Sequence, residues 1–194
     1  MFYDYSDAVS AFLNKKFIRL FSRLKTILPI DEINLLDSVN LVYEEAEKIT
    51  KQKLLHIAKK KYRELGGEDT IDEIWLNDFL SNVNPTTGYI YLNEVDRKRS
   101  RCFESLVKSQ NRAKDVKTAL RYYSAMVTQY TIDVADAAAV EAYKSQGIKK
   151  VRWRSCIDNR VCKTCFERNK KIYDIDKIPS KHWNCRCWLE AVKE

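Results

Sequence analysis

Glycine and proline are scarce in this chain, four and three among 194 residues, which excludes collagen-like structure and leaves little for long flexible linkers. Long apolar runs are missing too. Each lasts only a few residues, against the roughly 20 that a bilayer-spanning helix needs, so no transmembrane helix is expected. No secretory signal is evident, because MFYDYSDAVSAFLNKKF opens with acidic residues and offers no small-residue cleavage site. The chain is therefore expected to start in the cytoplasm. What is present excludes disorder: 11 Tyr, seven Phe and four Trp supply apolar surface that must be buried. A chain of this length makes one medium domain, or one plus a small module, and buries roughly two thirds of its unfolded surface.

Charge and cysteine are unevenly spread. The chain has 35 Lys and Arg against 27 Asp and Glu, a formal +8. Residues 148–194 hold 13 basic and six acidic residues, a net +7, which leaves +1 for residues 1–147. Of the six cysteines, Cys156, Cys162, Cys165, Cys185 and Cys187 lie in this same segment and only Cys102 lies outside it. The division predicts a helical body over 1–147 and a basic Cys/His-rich module over 148–194.

The body reads as helices. Leu35, Leu36, Val39, Val42, Tyr43, Ala46, Ile49, Ile57, Ala58, Tyr62 and Leu65 recur at three- and four-residue steps, the spacing of a helix with one apolar stripe. Asp31 can cap this helix, and Gly66-Gly67 can end it. An earlier amphipathic helix is expected over about Ser6 to Leu28, and a short one over Ile71 to Leu80. Asn84, Pro85 and Gly88 mark a turn, and Tyr89-Ile90-Tyr91-Leu92 then reads as a short extended or buried segment. Residues 93–146 lack Gly and Pro and favour one long helix or two joined ones. The expected fold class is mainly α, a helical bundle with a small C-terminal α+β Cys/His module resembling a zinc ribbon.

Arg97, Lys98, Arg99 and Arg101 put four positive charges into five residues. They suit either a solvated helix face or contact with phosphates or an acidic partner. No base-reading motif accompanies them.

From Ile148 the pattern IKKVRWRSC alternates as a strand does. Cys162 and Cys165 then form a CxxC knuckle, and His182, Cys185 and Cys187 follow on a returning segment. Two ligands on a tight turn and two more across one loop suit tetrahedral zinc. Thiolate and imidazole are also donors that this ion prefers. Five candidates compete for four places, and Asp158 can receive the other imidazole proton or cap the knuckle. A structural ion would also supply stability that a module of about 40 residues cannot draw from its own core. Disulfides, reduced thiols packed with Trp153, Trp183 and Trp188, and a Cys/His catalytic dyad are the competing readings.

These residues resemble a known family, the phage head morphogenesis proteins, or Mu F-type minor head proteins of tailed phages. The resemblance rests on Trp153, Asp158, Val161, Cys162, Cys165, Pro179, His182, Asn184, Cys185, Arg186 and Cys187, in order and spacing over about 40 residues, and on the helix ending at Gly147. Trp183 replaces the family's usual Pro. Asn169-Lys170 stands where many members have Asp-Gly, and Asn is expected to adopt left-handed angles there. An Arg-Thr-Glu motif common on the preceding helix is not visible, Gln129-Tyr130-Thr131 occupying its place. The resemblance implies a minor structural component of the phage head, made in the host cytoplasm and carried inside the virion near the portal. It implies portal and capsid partners, a part in procapsid assembly, DNA packaging or DNA delivery, and no established catalysis.

Non-specific DNA contact is expected through Lys149, Lys150, Arg152, Arg154, Lys170 and Lys171, together with Arg97, Lys98, Arg99 and Arg101. Neither a membrane nor a small-molecule substrate is expected. Two alternatives stand beside this reading, a zinc-ribbon-like nucleic-acid-binding protein and a zinc-dependent hydrolase or nuclease using His182 and Asp158. The second lacks an HExxH motif, and its zinc would need an open coordination position.

Overall fold

The computed structural model describes residues 15–26, 32–68 and 71–192. The order is α1 (residues 15–22), a 3-10 turn (Arg23–Lys25), α2 (Glu32–Glu64), α3 (Glu73–Ser81), α4 (Tyr91–Val107), α5 (Arg112–Ser145), β1 (Lys150–Arg154), α6 (Lys163–Arg168), β2 (Ile172–Asp174) and β3 (Trp188–Val192). The chain is mainly α with a small C-terminal antiparallel sheet, as its sequence pattern predicts. The start of the first expected helix, its end past Thr26 and the Asp31 cap lie outside the described residues.

α2 and α5, of 33 and 34 residues, form the axis of the body and pack on each other, with α4 against both. At 1.5 Å per residue each is about 50 Å long. Along α2 the buried residues run Leu35, Val39, Val42, Tyr43, Ala46, Thr50, Leu54, Ile57, Ala58 and Tyr62, the stripe its periodicity marks. Their core is aromatic. Phe17 meets Tyr123 edge-on at 5.1 Å, Tyr43 meets Tyr123 at 5.4 Å, and Phe21 meets Tyr43 at 5.3 Å. Edge-to-face pairs of this kind add stability beyond the area they bury.

Gly66 ends α2 with a φ of +84°, a conformation that a Cβ opposes. Gly67 has a different reason: a Cβ there would stand 2.2 Å from the Tyr62 ring.

One expectation is corrected. The Tyr89–Leu92 segment is extended only as far as Ile90, which caps α4; Tyr91 is already helical. The cause is tertiary, since Tyr91 is fully buried edge-on to Tyr130 at 4.9 Å, and packing overrides its local preference. Residues 93–146 make two helices, broken at 108–111. There Asn111 caps α5, its side chain accepting from Lys114 N at 3.1 Å, which satisfies a backbone donor that the first turn leaves unpaired.

The sheet has the order β2-β1-β3, antiparallel throughout. In β1, Val151 and Trp153 are buried while Lys150, Arg152 and Arg154 alternate with them, the period-two pattern of a strand with one covered face. These buried residues join Cys165, Cys185, Cys187, Leu189 and Tyr143 of α5 in a second core, smaller than that of the helices. β3, on the other side of β1, follows directly on Cys187.

Candidate metal centre and its anchorage

α6 positions the first two candidate ligands. Cys162 is its cap, with Sγ accepting from Cys165 N at 3.4 Å, and Cys165 sits in the first turn. The two thiols thereby share the helix N-terminus, where the dipole favours a thiolate. His182 arrives on the returning loop with Nε2 3.3 Å from Cys162 Sγ and 3.0 Å from Cys165 Sγ. Its Nδ1 lies 2.9 Å from Trp183 O. Donation to that carbonyl fixes the tautomer and turns the Nε2 lone pair toward the thiols. Asn184, at φ +57°, makes the tight turn that brings Cys185 Sγ to 3.7 Å from Cys165 Sγ. Cys187 Sγ lies 3.4 Å from Ser155 Oγ.

The five donors form two overlapping triads, Cys162–Cys165–His182 and Cys165–Cys185–Cys187, with ligand atoms mutually within 4.8 Å in each. Cys165 belongs to both. Bond lengths of about 2.0–2.3 Å imply tetrahedron edges of about 3.3–3.8 Å; the Cys162–His182 and Cys165–Cys185 separations of 3.3 and 3.7 Å fall in that range, and the Cys165–His182 separation of 3.0 Å is shorter. Burial pushes the Cys165 thiol up to about 12. A hydrogen bond from Cys185, chiefly, draws Cys187 down to about 5. Metal binding must therefore displace protons from some of these thiols.

Asp158 is not on the imidazole. Its carboxylate takes both terminal nitrogens of Arg186, with Nη1 at 2.5 Å, and accepts from Arg160 N at 2.9 Å. A fork-shaped guanidinium satisfies both carboxylate oxygens at once, so Asp158 tethers the Asn184-Cys185-Arg186-Cys187 strand instead. The left-handed residue of the Asn169-Lys170 turn is likewise Lys170, at φ +67°. Asn169 keeps a φ of −56° and accepts from Ser155 N at 3.1 Å.

The anchorage of the loop to α5 comes from residues that no ligand motif marks. Gln129, Asp136 and Tyr143 stand seven residues apart, on one face of α5. Gln129 Oε1 accepts from Asn184 N at 2.7 Å, Asp136 accepts from Lys181 Nζ at 2.5 Å, and Tyr143 OH donates to Leu189 O at 3.2 Å. Gln129 Nε2 also donates to Asp133 at 2.8 Å, and Asp133 accepts from Asn84 Nδ2 at 2.8 Å and Thr86 Oγ1 at 3.2 Å. Burial raises the pKa of both Asp133 and Asp136. The available signal was two carboxylates in an Ala-rich helix, at positions that a packed helix fills with apolar residues.

The basic residues divide between two places. Arg97 and Lys98 both pair with Glu94, Arg99 pairs with Asp96, and Arg101 is exposed on α4. Arg152 and Arg154 share Glu190 on the outer face of the sheet. Lys149 and Lys150 open β1, while Lys170 and Lys171 lie at the opposite end, where Trp153 exchanges backbone hydrogen bonds with them.

Fold and site thus define a mainly helical chain ending in a small sheet module with clustered Cys and His. Residues 101–190 match the family model described as phage Mu protein F like protein. That segment contains α5 and the whole Cys/His cluster, and the match supports the resemblance to the phage head morphogenesis family. No curated protein and no solved structure matches it. No helix of the described residues is long and apolar enough to cross a membrane.

Proposed function

We propose that this chain is a minor structural protein of a tailed-phage head, residing in the virion and binding portal or capsid subunits during procapsid assembly, DNA packaging or delivery. In this reading residues 1–147 are the docking body and residues 148–194 a module built on one structural zinc ion. The observation that carries the zinc half is the Cys/His cluster, whose loop is tied to α5 at Asn184, Lys181 and Leu189. A site built to hold a shape needs such outer contacts. Cys165 is common to both triads, so a quartet made of either triad plus one donor of the other contains it. The ion would pin α6 to the returning loop, and the surrounding Lys and Arg keep the module basic around it.

Metal analysis of purified protein should find about one zinc per chain, and none with six free thiols would remove the zinc half. Among Cys162→Ser, His182→Ala, Cys185→Ser and Cys187→Ser, the variant retaining a full equivalent identifies the donor outside the quartet. The head assignment is tested separately, by mass spectrometry of purified particles and co-purification with co-expressed portal and capsid proteins. Absence from particles together with no co-purification would refute it.

A further inference from the structure

The even charge of the helical body conceals a second basic surface. Between Glu94 and Arg121 lie nine Lys and Arg against four Asp and Glu, a net +5, so the rest of residues 1–147 is net acidic. This segment is the antiparallel hairpin of α4 and α5. Arg97, Lys98 and Arg99 have their charge met by Glu94 and Asp96. Arg101, Lys108, Lys114, Lys117 and Arg121 are exposed and make no ion pair among the described residues.

Their arrangement is regular. Lys114, Lys117 and Arg121 stand at i, i+3 and i+7, inside an arc of about 60° and over about 10 Å of helix. That length matches about three phosphate steps of one DNA strand, at roughly 3.4 Å each. Beside this stripe, a cleft of about 240 Å³ opens between the helices, lined by Lys98, Arg101, Ser105, Thr118 and Tyr122 and by one carboxylate, Asp115, which accepts a hydrogen bond from Ser109. Cations interleaved with hydroxyl donors are the side chains that bind phosphate oxygens.

The C-terminal module is organised differently. Arg152, Arg154, Arg160, Lys163, Lys181 and Arg186 are each paired with a carboxylate. Lys149 and Lys177 lie at one end of the sheet and Lys170 and Lys171 at the other, so no continuous stripe forms.

We infer that the α4–α5 hairpin, more than the Cys/His module, is the surface on which this protein meets the phosphate backbone of duplex DNA. The inference rests on the proposed role in DNA packaging or delivery, and it relocates the non-specific DNA contact expected from the sequence. Duplex DNA fits better than an acidic protein because the exposed large apolar groups of the hairpin, Leu92, Val107 and Tyr122, are few and scattered along it, whereas protein interfaces need an apolar centre and are poor in Lys.

The test is fluorescence anisotropy of the full chain on a short labelled duplex across a salt series. Arg101→Ala/Lys114→Ala/Lys117→Ala/Arg121→Ala should lower the magnitude of the log-affinity slope against log salt by about 3 to 4, at roughly 0.9 per lost phosphate contact. Lys149→Ala/Lys170→Ala/Lys171→Ala should change it by less than about one. Circular dichroism should show both variants folded, since the hairpin positions are exposed and Ala favours helix. The inference is overturned if the module variant carries the larger loss, or if the folded hairpin variant binds like wild type. Wild type that ignores duplex at low salt but binds polyglutamate would also overturn it, while the head assignment stands or falls separately on particle composition and co-purification.

Discussion

Gln129→Met isolates the contact between the helical body and the ligand loop. Gln129 is fully buried and bridges Asp133, at 2.8 Å, to the backbone nitrogen of Asn184, at 2.7 Å. Methionine keeps nearly the same volume, so little of the effect comes from a cavity. The Asn184 N–H, on an exposed residue, loses a part-buried hydrogen bond, at about 0.5–1.5 kcal/mol. Asp133 loses one of three donors, about 1–1.5 kcal/mol more. The expected total of about 1.5–3 kcal/mol corresponds to a Tm lower by roughly 3–12 °C for a chain of this size. Because Asn184 makes the turn between His182 and Cys185, the same change should weaken zinc by about 10- to 100-fold. Urea melts with and without chelator measure the first quantity, and competition against a chromophoric chelator measures the second. A Tm within about 2 °C of wild type would refute the argument that this bridge fixes the loop.

Other outcomes follow from the same geometry. Gly67→Ala places a Cβ 2.2 Å from the buried Tyr62 ring and should cost about 1–3 kcal/mol in a urea melt; an unchanged midpoint would show that the ring yields freely. The pKa of Asp133 is raised by burial, so the stability linked to this group is fully present below the ordinary Asp range and declines as pH rises through the raised value. In chelated protein, Asp133→Asn should therefore lose less stability than wild type over that rise, and parallel pH curves would contradict the assignment. Zinc-loaded protein should release metal on acidification as protons compete for its ligands, followed as free zinc with a dye; a zinc content that does not change with pH would contradict ligation by thiolates.

Local pattern carried much of this fold. The three- and four-residue steps of α2, the alternation in β1 and the ends set by Gly66 and Gly147 are properties of neighbouring residues, and the structure repeats them. The five ligand candidates were equally legible, because a metal site announces itself by residue type and spacing. The start of α4 was not, since Tyr91 is helical for the sake of Tyr130, 39 positions away in the chain. The partner of Asp158 was not legible either: a carboxylate on the imidazole is a common arrangement, but Arg186 offers it two charged donors instead.

By itself, then, the sequence determined the helical class, the strand of the module, the Cys and His that can hold a metal, and the resemblance to a phage head family. Only the tertiary structure decided which partners those residues have. It set Gln129, Asp136 and Tyr143 against the ligand loop and gathered the free cations of α4 and α5 beside one cleft. The physical reason is range. Helix periodicity and ligand spacing are written within one or two turns of chain, whereas a buried hydrogen bond or a charged face depends on where packing brings residues far apart in sequence.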